Sequence, residues 1–205
     1  MAYILGVIAA DGTVYINEVH GQHRLDMTSI DTALLDRLRK AMKAEHPIYE
    51  ECKLENGRHH VFYRLRIASK KLVDDLLEIG ITPRKSLTLK FPAAPPQHLS
   101  HFVRGYFDGD GSIWFRMCKN RLRLHLHFYG TKDFLITLNQ VIKNEIGCAI
   151  KRLYMNENIW GLQYNEREAE AVLHWMYRGA TLYLPRKYQK ISSYYKARKQ
   201  MGLKQ

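Results

Sequence analysis

Between Arg121 and Phe128 every second residue is apolar. Leu122, Leu124, Leu126 and Phe128 alternate with Arg121, Arg123, His125 and His127. A period of two puts the first set on one face of a β-strand and the basic set on the other. The segment before it places Ser112, Trp114 and Arg116 on the matching parity. The same layout occurs near the start of the chain. Thr13, Tyr15 and Asn17 lead into a turn near Gly21, and Arg24, Asp26 and Thr28 then alternate with Leu25 and Met27. Two strands are therefore predicted over 13–28, and two over 112–128 with a turn at Lys119-Asn120.

The period then changes. Leu34, Leu35, Leu38 and Met42 form one stripe at helical spacing, and Phe134, Leu135, Leu138, Val141 and Ile142 form another. Helices are predicted over 31–44 and 131–145, with Asp31 and Thr131 as N-caps. Second strand pairs follow, 48–54 with 59–67 and 149–155 with 158–164. Asn56-Gly57 is a hairpin turn signal in the first pair. Third helices are expected over 69–79 and 166–177. Each half then carries Pro-Arg-Lys, at 83–85 and again at 185–187. The chain thus reads as α+β, two αββαββα halves over 1–91 and 99–205. The proline-rich segment 92–98 should be a stiff, extended linker, and 187–200 a closing helix.

Each half opens on a short, apolar helical pattern ending in an acid and a glycine. Ile4-Leu5-Gly6-Val7-Ile8-Ala9-Ala10-Asp11-Gly12 returns 99 residues later as Val103-Arg104-Gly105-Tyr106-Phe107-Asp108-Gly109-Asp110-Gly111. Gly6 and Ala10, like Gly105 and Gly109, are four residues apart and share a helix face. Two such small-residue faces allow close backbone approach. If they pack together, both helices end at one place and Asp11 and Asp110 lie side by side. Each alone is an ordinary Asp-Gly turn; as a pair they form a hard-oxygen site suited to Mg²⁺ and phosphate oxygens.

The 205 residues are 46% hydrophobic and 25% charged, as expected of a folded domain. A net charge of +12 favours a polyanionic partner, above all a nucleic acid. Cys52, Cys118 and Cys148 form no C-x-x-C pair, and neither His59-His60 nor His125-x-His127 has accompanying ligand spacing. A structural zinc site is therefore disfavoured. No apolar run approaches a membrane span, and no targeting segment is seen, so a cytoplasmic or organellar-matrix location is expected.

The two motifs, above all Gly105-Tyr106-Phe107-Asp108-Gly109-Asp110-Gly111, resemble those of the LAGLIDADG homing endonucleases in their single-chain, two-motif form. The resemblance covers essentially the whole chain. It departs at Ala9, where the family often carries an acid, whereas Asp11 falls on the metal-binding position. It also departs at the start of the second helices. There some relatives carry Gln-Lys, and only Lys132 comes close. The resemblance implies two antiparallel sheets forming a saddle on DNA, and one metal-binding acid per half cutting one strand each to leave short 3′ overhangs. It implies Asp11 and Asp110 as ligands, with the carbonyls of Ala10 and Gly109 adding to them. Mg²⁺ would be the cofactor, Mn²⁺ a substitute, and Ca²⁺ an ion that binds without supporting cleavage.

Lys85 and Lys187 recur in both halves and are candidate catalytic cations; the alternative is that they cap helices or hold phosphates. The expected DNA-binding set is Tyr15, Asn17, Arg24, Asp26, Thr28, Arg64, Arg66, Ser112, Trp114, Arg116, Arg121, Arg123, His125, His127 and Arg152. Arg suits guanine edges and Asn suits adenine, while other members will hold phosphate. Eight strand residues span about 26 Å, so two halves should cover a duplex of roughly two turns. Because the halves differ, the site should be asymmetric. The internal repeat implies a monomer. A maturase acting on intron RNA, or a silent binding protein on the same fold, is the competing function. No protein-splicing block flanks the repeat, so a free-standing enzyme is expected rather than an intein domain.

Overall fold

The computed structural model describes residues 1–55, 57–93, 95–119 and 121–201. The expected turn residues Asn56 and Asn120, and Ala94 of the linker, lie outside the described residues. The first half runs α1 (Ala2–Asp11), β1 (Gly12–Asn17), β2 (Gln22–Ser29), α2 (Thr32–Ala41), β3 (Ile48–Glu55), β4 (Arg58–Ala68) and α3 (Lys70–Glu78). The second runs α4 (Leu99–Asp110), β5 (Gly111–Cys118), β6 (Arg121–Gly130), α5 (Lys132–Ile146), β7 (Tyr154–Asn156), β8 (Ile159–Asn165), α6 (Glu166–Tyr177) and α7 (Pro185–Gln200). Each half holds one antiparallel sheet, ordered β1-β2-β4-β3 and β5-β6-β8-β7. The α+β class and the two-half architecture are as the hydrophobic pattern predicts. Among the described residues no helix is long and apolar enough to cross a membrane.

The helix starts follow local chemistry. The Asp31 carboxylate accepts from the Leu34 N–H at 3.3 Å, and the Thr131 hydroxyl from the Phe134 N–H at 3.2 Å. Both are the N-caps the sequence indicates. Leu34, Leu35 and Leu38, together with Val73 and Leu76, bury against one face of the first sheet. Phe134, Leu135, Leu138 and Ile142 do the same in the second half, with Val172, Leu173 and Met176. The alternate strand residues, led by Leu25, Met27, Leu65, Leu124, Leu126 and Phe128, complete each core.

Three expectations are corrected. Residues 149–153 do not form a strand, because the Asn139 side chain captures that backbone. Its amide donates to the Lys151 carbonyl at 2.8 Å and its oxygen accepts the Lys151 N–H at 3.2 Å. Groups satisfied by a side chain are not free for a ladder, and β7 shrinks to three residues. Arg152 consequently lies in an exposed loop. The linker is not extended throughout. It closes in a 3₁₀ turn over Pro96–His98, and Phe91 is anchored on Phe102 and Phe134 at ring distances of 5.2 Å. The two Pro-Arg-Lys segments also differ. The first lies in a loop running into a 3₁₀ turn at Lys85–Leu87, whereas the second opens α7 with Pro185 in its first turn.

Helices α1 and α4 form the central contact between the halves. α1 is apolar on nearly every side, as a helix buried on all faces must be. Gly6 and Gly105 let the two backbones meet. A methyl group at Gly6 would lie 2.7 Å from the Tyr106 nitrogen, and one at Gly105 would overlap the Tyr3 carbonyl and sit 3.0 Å from the Val7 nitrogen. These neighbours are backbone atoms and cannot rotate aside. Gly105→Ala is therefore expected to destabilise the protein by about 2–3 kcal/mol, read from denaturant unfolding. Wild-type stability in that variant would show that the helices have slack.

Candidate active site

Because α1 and α4 pack along their glycine faces, they end together. Gly109 occupies the point where they diverge: a methyl group there would lie 2.9 Å from Asp11 Oδ2 and overlap Ala10. The carboxylate of one half thus reaches across the last turn of the other half's helix. Asp11 and Asp110 follow directly, each succeeded by a glycine in extended conformation that starts a strand. The sequence expectation that small faces bring the two acids together is met in the geometry.

The electrostatics are those of two carboxylates with too little water. Loss of hydration raises the pKa of Asp110 to about 6, and the neighbouring Asp11 charge adds to the shift. Asp11 is also raised by loss of hydration, although the residue is exposed and the effect there is correspondingly weaker. Lys85 and Lys187 oppose both shifts. Arg186, which the sequence reading did not single out, adds positive charge toward Asp11.

The two lysines are buried beneath the acids rather than presented beside them. Lys85 Nζ donates to the Gly12 carbonyl at 2.6 Å and the Ala10 carbonyl at 3.1 Å. Lys187 Nζ donates to the carbonyls of Phe107 (2.5 Å), Asp108 (2.8 Å) and Gly111 (2.5 Å), and the Gly109 carbonyl shares one of these donors at 3.4 Å. These carbonyls belong to the last turn of each motif helix and to the glycine that follows it, so each lysine caps the motif helix of its own half. Burial pushes the Lys187 ammonium down to about 8 and lowers Lys85 in the same direction. The carbonyls of Ala10 and Gly109 each share an oxygen with a lysine, leaving one lone pair for any further partner.

Asp108, the other acid of the second motif, faces inward. It accepts from Tyr177 Oη (2.6 Å), Leu184 N–H (2.8 Å) and Tyr3 Oη (2.9 Å). It ties the loop before α7 to the motif helix and so seats Lys187. The buried Arg104 assists by donating to the carbonyls of Met176 (2.6 Å) and Leu182 (3.0 Å). The first half has Ala9 in place of Asp108 and, among its described residues, no α-helix corresponding to α7. Beside Asp11 opens a cleft of 750 Å³ lined in part by Thr13, Tyr15, Arg84, Lys85 and Ser86.

The sheet faces turned away from the helices carry nearly all the expected DNA-contacting residues. In the first half Tyr15, Arg24, Asp26, Thr28, Arg64 and Arg66 share one face by register, with Asn17 at its edge. Asn17 Nδ2 donates to Tyr15 Oη at 3.4 Å. In the second half Ser112, Trp114, Arg116, Arg121, Arg123, His125 and His127 share the face. Trp114 stacks on His125 at 3.7 Å, and the Arg116 guanidinium lies 5.6 Å from the Trp114 ring. Arg123 pairs with Glu166. Gln163, Asn165 and Tyr154 belong to this surface and were missed. Asn165 Oδ1 lies 2.7 Å from His125 Nδ1, Gln163 Nε2 donates to Asn165 Oδ1 at 2.6 Å, and Tyr154 Oη lies 2.8 Å from His127 Nδ1. The alternation of Leu162 and Tyr164 with Gln163 and Asn165 was the available signal. Arg152, in its loop, is not on the sheet.

Among the described residues no group of three or more His, Cys, Asp or Glu could hold a metal. A cation at Asp11 and Asp110 would therefore complete its shell with backbone and ligand oxygens.

A half-buried acid held above its ordinary value makes stability depend on pH. The folded protein keeps its proton on Asp110 to about pH 6, whereas the unfolded chain releases it near 3.8. Stability thus falls as pH rises between those values, and the whole penalty is present above 6. Asp110→Asn should stabilise the metal-free protein at pH 7.5 by roughly 1–2 kcal/mol, after discounting for solvent screening, and should be neutral near pH 4. Denaturant unfolding at both pH values checks this. A loss of stability at pH 7.5 would mean that the lysines, not the lost hydration, dominate.

Comparison with known proteins agrees with this geometry. The family model described as a LAGLIDADG-like domain matches residues 1–80. No curated protein sequence matches. Among solved structures, the homing endonuclease I-WcaI bound to its DNA recognition sequence aligns with a TM-score of 0.69 at 12% identity, over 93% of this chain and 84% of that one. The I-LtrWI LAGLIDADG homing endonuclease bound to target DNA aligns at 0.63 and 11% identity, over 99% and 90%. Mesophilic variants of the homing endonuclease I-DmoI align at 0.57 and 18% identity, over 89% and 92%. Residues 1–80 thus match a LAGLIDADG-like domain, and the chain as a whole has the two-half fold of these LAGLIDADG homing endonucleases.

Proposed function

We propose that the protein is a site-specific double-strand DNA endonuclease. It hydrolyses one phosphodiester in each strand of a long asymmetric site and leaves short 3′ overhangs. The observation that carries this reading is the pair of carboxylates, one from each half, at the adjoining ends of two packed helices between two polar, arginine-rich sheet faces. I-WcaI and I-LtrWI, which share the fold, were solved with DNA. The internal repeat supplies both halves of the site, so the protein acts as a monomer.

The donor set fits a hard divalent cation. Two carboxylates short of hydration, with carbonyl oxygens nearby, match the preference of Mg²⁺ for one or two carboxylates plus phosphate oxygens. Asp11 and Asp110 would hold it, aided by the carbonyls of Ala10 and Gly109, and it would polarise a phosphoryl oxygen and stabilise the leaving one. Mn²⁺ should substitute, and Ca²⁺ should bind without supporting cleavage. The chain's own residues do the rest. Lys85 and Lys187 fix the helix ends and so the aim of both carboxylates. Their positive charge, set in a poorly hydrated site, also favours charge developing on the phosphate. The sheet faces hold the duplex in register, through phosphates for position and base edges for identity.

The test uses a supercoiled plasmid carrying a site selected by the wild-type protein. Wild type should linearise it in Mg²⁺. Asp11→Asn and Asp110→Asn should each form linear product at least about 100-fold more slowly, and the double variant should cut neither strand while still binding. Wild-type cleavage by the double variant would remove both aspartates from the chemistry.

A further inference from the structure

The two sheet faces are built on the same lattice but carry different chemistry at equivalent points. In the first half Asp26 pairs across strands with Thr13 and Arg66, Arg24 pairs with Tyr15, and Thr28 with Arg64. The corresponding points of the second half are His127 paired with Ser112 and Gln163, His125 with Trp114, and Tyr129 with Gly161. At these points one face is three arginines around a carboxylate, whereas the other carries rings and amides and keeps its arginines, Arg116, Arg121 and Arg123, farther from the centre.

Asp26 is the organiser of its cluster. Its side chain is only 10% exposed although it sits on the open face of the sheet, because arginines cover it. Arg66 grips it with two donors, Nε to Oδ1 at 3.0 Å and Nη2 to Oδ2 at 3.3 Å. Arg64 Nη1 reaches Oδ2 at 3.4 Å, and its Nη2 pairs with Glu51 at 2.7 Å. Arg24 Nε lies 3.5 Å from Oδ2, and its guanidinium is stacked 3.9 Å over the Tyr15 ring. All three planes are fixed before any ligand arrives, and each keeps N–H groups not committed to Asp26. A fixed guanidinium edge suits the O6 and N7 of guanine, and fixing it beforehand lowers the ordering cost of binding. Two carboxylates against three guanidinium groups leave this cluster little net charge for phosphates. Through its pairing with Thr13, two residues beyond Asp11, the cluster adjoins the cleavage centre.

We propose that Asp26 is a positioning residue for sequence discrimination. It holds Arg24, Arg64 and Arg66 as a preset reader of guanine edges in the half-site next to Asp11, and it keeps them from serving as general phosphate contacts. This rests on the reading of the sheets as a duplex-binding surface. It implies a division of labour, in which the first half contributes discrimination out of proportion to its share of electrostatic affinity.

The experiment selects bound duplexes from a library randomised along both arms, without divalent metal, using wild type, Asp26→Asn and Asp26→Ala. Asp26→Asn keeps the side chain's shape and guards against a folding defect, which circular dichroism and unfolding monitor. Wild type should select guanines near the centre of one arm, with discrimination of about tenfold at each. Both variants should lose that preference to within a few-fold while keeping the selection in the other arm. Their binding to unselected duplex should instead tighten by about three- to tenfold at low salt. Their log–log salt slope should steepen by about 0.9 for each phosphate newly neutralised by a freed arginine. A merely structural residue would move neither the arm-specific preference nor the slope. Unchanged guanine preference and slope in both folded variants would overturn the role of Asp26 alone. Selection of no duplex by wild type would overturn the duplex-binding reading and this inference with it.

Discussion

The close approach of α1 and α4 is the constraint on which everything else depends. Gly6 and Gly105 remove the side chains that would separate the two backbones, and the helices are then forced to end at the same level. From that follow the juxtaposition of Asp11 and Asp110, the divergence of two strands from one centre, and the placement of a polar sheet face on either side. A methyl group at either glycine would part the helices and move the two acids with them.

Once the acids are together, the surrounding chemistry is a response to charge. Two carboxylates and several helix-end carbonyls crowd one poorly hydrated spot. The protein answers with Lys85, from a 3₁₀ turn, and Lys187, from the first turn of α7, each bonded to carbonyls at the end of its own half's motif helix. The lysines fix the geometry without cancelling the carboxylates, so Asp110 still titrates near 6. The halves solve the task unequally. The second uses Asp108, two tyrosines, Arg104 and the helix α7 to seat its lysine, whereas the first makes do with a 3₁₀ turn. The same inequality marks the sheets, with a carboxylate-bound arginine cluster on one side and a stacked Trp114–His125 surface on the other.

Much of this was legible in the sequence because local periodicity carries it. The alternation through β2 and β6, the stripes of α2 and α5, and the N-caps Asp31 and Thr131 all follow from interactions within a few residues. The repeat then doubled each signal. What the sequence did not disclose depends on partners far along the chain. Asn139 diverting the backbone at Lys151, which costs the chain most of a strand and displaces Arg152, is a contact across 12 residues. The capping role of Lys187 spans nearly 80. Recurrence in both halves marked the two lysines as candidates but could not choose between a cation facing substrate and one facing a helix end. Asp26 fell on the right face by parity, yet only the register of β2 against β4 reveals how many arginines it holds.

The most direct measurement of the central claim is cleavage of a randomised duplex library by the purified protein in Mg²⁺, followed by sequencing of the cut ends. The account predicts one long, asymmetric site cut once in each strand with a constant short stagger, and no cuts when Mg²⁺ is omitted. Selected binding without any cut ends, or cuts scattered without sequence preference, would contradict it.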